Sequence, residues 1–134
     1  MTINLPLDVA TPALVLGALA LTFSALALLF ALIVVIESAV LQGMRWGSFK
    51  ACLKASFWMN LASTLFGFLG LGAAPALGVW GLLSAWVLSV VIEALVLGRL
   101  GRQAVRQSWR AAFVANLVSY GIVLVPIYLF SRST

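Results

Sequence analysis

Four stretches of this chain, roughly residues 11–41, 51–73, 76–98 and 109–130, are each long and apolar enough to predict a helix across a membrane. A spanning helix needs about 20 such residues. The four fill nearly all of the 134 residues, which leaves no room for a separate soluble domain. Composition agrees: 64% of residues are hydrophobic and 8% are charged. A water-soluble domain of this size could not cover that much apolar surface. The expected fold is an all-α membrane protein with four transmembrane helices, a single domain over residues 1–134.

The amino terminus, MTINLPLDVATP, has no Lys or Arg before the first apolar run, unlike a secretory signal. That run is read as a retained span, with Pro6 and Pro12 marking its start. The single cysteine, Cys52, and the lack of histidine exclude an internal disulfide and leave almost no basis for a metal site. Cys52 lies near Lys50 and Lys54, but a small residue at a helix start is the simpler reading. No cofactor is implied.

Seven of the eight basic residues lie in two places. Arg45, Lys50 and Lys54 fall between the first and second runs; Arg99, Arg102, Arg106 and Arg110 fall between the third and fourth. By the positive-inside rule both loops face the cytoplasm. Both termini and the connection GAAPALG, residues 72–78, then face the other side, as in a bacterial inner membrane. The net charge of +5 is thus explained by topology and lipid headgroups, with no need for nucleic acid.

The chain also repeats itself at an offset of 56 residues. VVIESAVL at 34–41 matches VVIEALVL at 90–97, which places Glu37 on Glu93. Asn60 and Ser63 fall on Asn116 and Ser119, and the cations Lys50 and Lys54 fall on Arg106 and Arg110. Apolar matches are cheap in membrane helices, whereas matching Glu, Asn and paired cations are not. Each repeat, about 11–73 and about 76–130, is then a helical hairpin, and the two are parallel repeats about an axis along the membrane normal.

Glu37 lies about 7 Å inside its helix end and Asn60 about 9 Å inside its own, at 1.5 Å per residue. The pair should meet on neighbouring antiparallel helices, and Glu93 should meet Asn116 likewise. Ser63 and Ser119 lie three residues beyond each Asn, on the same face. The expectation is one polar layer of Glu37, Asn60, Ser63, Glu93, Asn116 and Ser119, with Lys50, Lys54, Arg106 and Arg110 at the interface. Lys54 and Arg110 could reach the carboxylates. Such a layer could clamp the hairpins together, at about 0.6 kcal/mol per contact. It could also hold a proton, a cation or a cationic substrate. The outer halves of the helices, with Thr22, Ser24, Thr64, Ser84 and Ser89, add no ionisable group. Without a nucleophile–base pair, an enzyme is not expected.

The repeated pattern is a Glu ending an apolar helix (IESAVL, IEALVL), a basic loop, then a helix with Asn, Leu and Ser (MNLAS, ANLVS). It resembles small filament-integrity membrane proteins of cyanobacteria, the FraC type, over roughly residues 34–66 and 90–122. That family is associated with septa and cell–cell junctions. The resemblance implies support or assembly of a membrane complex and carries over to Glu37, Asn60 and Ser63, with Glu93, Asn116 and Ser119. The leading reading of the sequence is an assembly, scaffold or junction subunit that packs with other membrane subunits or with itself. The runner-up is a small oligomeric transporter or channel that uses the paired glutamates.

Overall fold

A computed structural model describes residues 7–70, 78–101 and 103–133. Among these residues there is no strand. The helices are α1 Leu7–Gly43, α2 Phe49–Gly70, α3 Val79–Leu100, α4 Val105–Ser119 and α5 Val125–Ser133, with a π-helical turn Tyr120–Leu124 joining the last two. Three helical stretches are long and apolar enough to cross a membrane: Leu14–Gly43, Val79–Leu100 and Val105–Ile127. They mark a membrane protein and match the first, third and fourth expected spans. The second expected span falls on α2, which is long enough but not apolar enough to count with these three. Lys50, Lys54, Ser56, Asn60, Ser63 and Thr64 dilute its hydrophobic residues. The turn residues Gly72 and Pro75 lie outside the described residues, as does Pro6. Helix α1 carries Pro12 inside it rather than at its start; the cost is one N–H that could otherwise bond four residues back.

Local chemistry sets the ends that matter. Helix α1 closes with a Schellman arrangement, in which the Trp46 N–H donates to the Leu41 carbonyl at 3.0 Å and the Arg45 N–H donates to the Gln42 carbonyl at 2.9 Å. Arg45 occupies the left-handed position, φ 56°, where glycine is usual. Trp46 and Leu41 join the same apolar cluster, the hydrophobic contact expected of this motif. At the other loop, a Cβ on Gly101 would lie 2.7 Å from Trp46 Cζ2, so only glycine lets the indole sit there. Gln103 Nε2 then donates to the Trp46 carbonyl at 3.1 Å, tying the two basic loops together. The π turn directly precedes Pro126 in sequence: the Val125 N–H bonds back to Tyr120, one residue further than in an α-helix. A proline ring crowds the carbonyl four residues before it, and a wider turn relieves that clash.

The chain divides into two compact units, residues 1–31 and 32–134. In the first, Leu14, Leu16, Leu21, Phe23 and Leu28 are exposed, as lipid-facing residues would be. The second contains the last turns of α1 and the rest of the chain, with α3 packed on both α2 and α4.

Within this second unit the repeat is written in the burial pattern. Val34, Glu37, Ser38, Leu41, Cys52, Ala55, Ser56, Met59, Asn60 and Ser63 are buried, and so is the residue 56 positions after each of them. These ten positions agree, whether apolar or polar; buried Gly81 and Val123 do not, since Ala25 is exposed and Gly67 half-buried. Each hairpin therefore turns the same face to the core.

Candidate functional site

The polar layer expected from the sequence is assembled, and its geometry is reciprocal. Asn60 Nδ2 donates to Glu37 Oε2 at 2.5 Å, from α2 to α1. Asn116 Nδ2 donates to Glu93 Oε2 at 2.6 Å, from α4 to α3. Each asparagine also bonds the carbonyl four residues back on its own helix, Ser56 or Ala112, both at 3.0 Å. This second bond fixes the amide so that its remaining N–H points across to the glutamate. All four residues are nearly fully buried.

The serines cross between hairpins. Ser119 Oγ, on α4, donates to Glu37 Oε1, on α1, at 2.8 Å. Ser63, on α2, lies near Glu93, on α3, while its hydroxyl donates to the Asn60 carbonyl at 3.2 Å. Glu37 is thus held by the asparagine of its own hairpin and the serine of the other, and Glu93 by the asparagine of its own. Ser56 adds a donor to Glu37 Oε2 at 3.3 Å, while its hydroxyl also lies 3.0 Å from the Val34 carbonyl. Its equivalent in the second repeat is Ala112, so the layer is not fully symmetric.

Lys54 and Arg110 are exposed, and the hydrogen bonds to Glu37 and Glu93 come from Asn and Ser instead. Lys54 is six residues, about 9 Å, from Asn60 along α2, and it lies by the loops beside Trp46 and Gly101. Lys50 and Arg106 are exposed as well. The four cations flank the loops rather than the layer. Cys52 is fully buried, with its thiol 3.6 Å from the Gly47 carbonyl, as a small core residue would be.

A cavity of about 290 Å³ opens onto both carboxyl groups. Eight of its twelve lining residues are repeat-related pairs: Ile33 with Ser89, Glu37 with Glu93, Ser63 with Ser119, and Thr64 with Tyr120. A space lined in this way lies between the hairpins, where the repeats meet. Asn60, Gly67, Ala85 and Leu88 complete it. On one wall the Ser89 and Tyr120 hydroxyls are 3.2 Å apart and hydrogen-bonded. Toward the basic loops the layer is backed by Leu41, Met59, Ala94, Leu97, Ala111 and Ala112, all buried and closely packed.

Ser56, Thr64, Ser89 and Tyr120 were not expected in the layer. Tyr120 had a signal, since it follows Ser119 and falls on Thr64 at the repeat offset. Ser56 had one too, as the residue one helical turn before Asn60. Among the described residues no group of three His, Cys, Asp or Glu is placed to hold a metal ion. Comparison with known proteins finds no family model, no curated relative and no solved structure that matches the chain.

Proposed function

We propose that this membrane protein binds a cation or cationic solute between its two hairpins and acts as a small transporter or channel subunit. One observation carries the reading: a cavity at the junction of the two repeats ends on Glu37 and Glu93 together. A clamp needs the hydrogen bonds but no space beside them. Carboxyl groups at membrane depth are functional by default, and space next to a pair of them adds a place for a ligand. Of the two readings open to the sequence, the cavity favours the second. The basic loops are taken to face the cytoplasm, as the positive-inside rule directs.

The assembly, scaffold or junction reading has its own support in the Ser119–Glu37 bond, which fastens one hairpin to the other. Fastened hairpins would present fixed outer faces, with Phe57, Trp58, Trp109 and Phe113 exposed, to other subunits.

The two readings separate on purified protein. Reconstituted alone in vesicles, the chain should carry a saturable cation current or uptake, lost in Glu37→Gln plus Glu93→Gln. If the wild-type chain shows no binding or flux alone but co-purifies with membrane partners that the double variant loses, assembly is the function.

A further inference from the structure

The cavity and the hydrogen-bond balance around it narrow the class of ligand, given the binding reading above. The layer is rich in acceptors: four carboxyl oxygens and two asparagine oxygens. Its donors are two amide groups and the hydroxyls of Ser56, Ser63 and Ser119, several of them shared with backbone carbonyls. One acceptor is left over, because Asn116 Oδ1 is fully buried without a partner. A buried polar atom left unpaired is costly, and a well-built site normally satisfies it. Asn116 does not line the cavity, but Glu37, Glu93 and Asn60 do, and a ligand there that brings several N–H donors would meet their oxygens.

The cavity also has a direction. Thr64 and Gly67 on α2, and Ala85 and Leu88 on α3, lie beyond the glutamates on the side away from the basic loops. On the loop side Leu41, Met59 and Leu97 close the way. Ile33, Ala85 and Leu88 make apolar walls above a polar floor. At about 290 Å³ the space sits near the lower end of ligand pockets, about 300 to 1,000 Å³. Among the described residues Tyr120 is its single aromatic lining residue, fewer than in the aromatic cages that hold quaternary ammonium groups.

We propose that this cavity binds a small protonated alkylamine, its –NH₃⁺ group between Glu37 and Glu93 and its short alkyl chain against Ile33 and Leu88, admitted from the side away from the basic loops. The ammonium brings three donors and a positive charge to a floor rich in acceptors, whose described lining residues carry no cation. A quaternary ammonium brings the charge alone, and an alcohol brings one donor and no charge.

The test uses the full chain in nanodiscs of zwitterionic lipid, titrated calorimetrically with n-propylammonium, tetramethylammonium, n-propanol and sodium. Propylammonium should bind saturably, at least tenfold more tightly than tetramethylammonium or propanol. Glu93→Gln should weaken it at least tenfold. Leu88→Trp, which fills the wall and spares the floor, should do so too, with both variants monodisperse on size exclusion. In a Cys52→Ser background, Ala85→Cys in vesicles should react with a membrane-impermeant thiol reagent from the face opposite to Ser48→Cys, and propylammonium should slow that reaction. Sodium binding without amine binding would overturn the amine proposal and leave the cation site standing. Equal affinity for propylammonium and tetramethylammonium would also overturn it, by removing the donor argument. No binding of any cation would overturn both. Labelling of Ala85→Cys from the same face as Ser48→Cys would refute the direction of access.

Discussion

Ser119→Ala removes one hydroxyl, and with it a direct hydrogen bond between the hairpins. The wild-type bond spans 82 residues of sequence, is 2.8 Å long and is fully buried. Interhelical hydrogen bonds in membranes average about 0.6 kcal/mol and reach about 1.7. The acceptor is a carboxyl oxygen whose other donors reach Oε2, so Glu37 Oε1 loses its described side-chain donor. The cost should therefore fall in the upper part of that range, about 1 to 2 kcal/mol. Ser24→Ala is the control: its hydroxyl bonds only the Ala20 carbonyl on its own helix, in an exposed position, and its loss should cost under about 0.5 kcal/mol. Reversible unfolding in mixed micelles, monitored by tryptophan fluorescence, would give both values. A double-mutant cycle with Glu37→Leu isolates the contact and should return a coupling of at least about 0.5 kcal/mol. Ser63→Ala should cost less than Ser119→Ala, because the Ser63 hydroxyl bonds the Asn60 carbonyl on its own helix rather than a carboxyl group of the other hairpin. If Ser119→Ala costs no more than Ser24→Ala and the cycle shows no coupling, the serines do not hold the hairpins together and the reciprocal layer is not a clamp.

Three further outcomes follow from the loops and the core. Gly101→Ala drives a Cβ to 2.7 Å from Trp46 Cζ2 and should destabilise by about 1 to 3 kcal/mol, with Trp46→Leu restoring part of the loss; thermal melts of the single and double variants check it. Arg45→Gly relieves a non-glycine residue at φ 56° and should raise stability by up to about 1 kcal/mol in the same melts. Cys52→Ser should destabilise by about 1 to 3 kcal/mol, because the shorter C–O bond carries the hydroxyl farther from the Gly47 carbonyl than the thiol's 3.6 Å, and the equivalent Ser108 hydroxyl is itself buried without a partner.

The glutamate–asparagine pairs were legible because two facts in the sequence converge on them. Glu37 and Asn60 are 23 residues apart, as are Glu93 and Asn116, and helix rise puts both members of each pair at one depth. The reach of each serine was not legible. Ser63 and Ser119 read as members of the layer, but which carboxyl each would meet depends on how α2 packs on α3, and no local spacing encodes that. The shortfall of α2 as a span has the same root as the site: the residues that build the polar layer are those that lower its hydropathy. The left-handed Arg45 was hidden because the motif usually shows a glycine there. The cavity could not be read at all. Gly67 and Ala85 carry the small side chains that leave room for it, yet Ala111 and Ala115, equally small, are packed shut.

Where the repeats differ at the cavity, the difference bears on how a ligand would lie in it. The buried face is the same in both hairpins at ten positions, and the two glutamates and two serines are identical. A two-fold pair of hairpins needs no more than that to pack. Some departures lie in the packed face, as Cys52 against Ser108 and Met59 against Ala115; others fall on the cavity wall, where Ile33 takes the place of Ser89 and Thr64 that of Tyr120. Ser89 and Tyr120 bond each other on the second repeat's side, whereas the matching Ile33 and Thr64 give one apolar and one hydroxyl side chain on the first's. The π turn that begins at Tyr120 matches regular α-helix at residues 64–68 of α2 and sets the backbone of this one wall apart. A symmetric floor offers a ligand two equal orientations, and an asymmetric wall selects one of them. Ser89→Ile with Tyr120→Thr would make the wall follow the two-fold, and it should cost ligand affinity while leaving the Glu–Asn–Ser layer, and the stability it confers, in place.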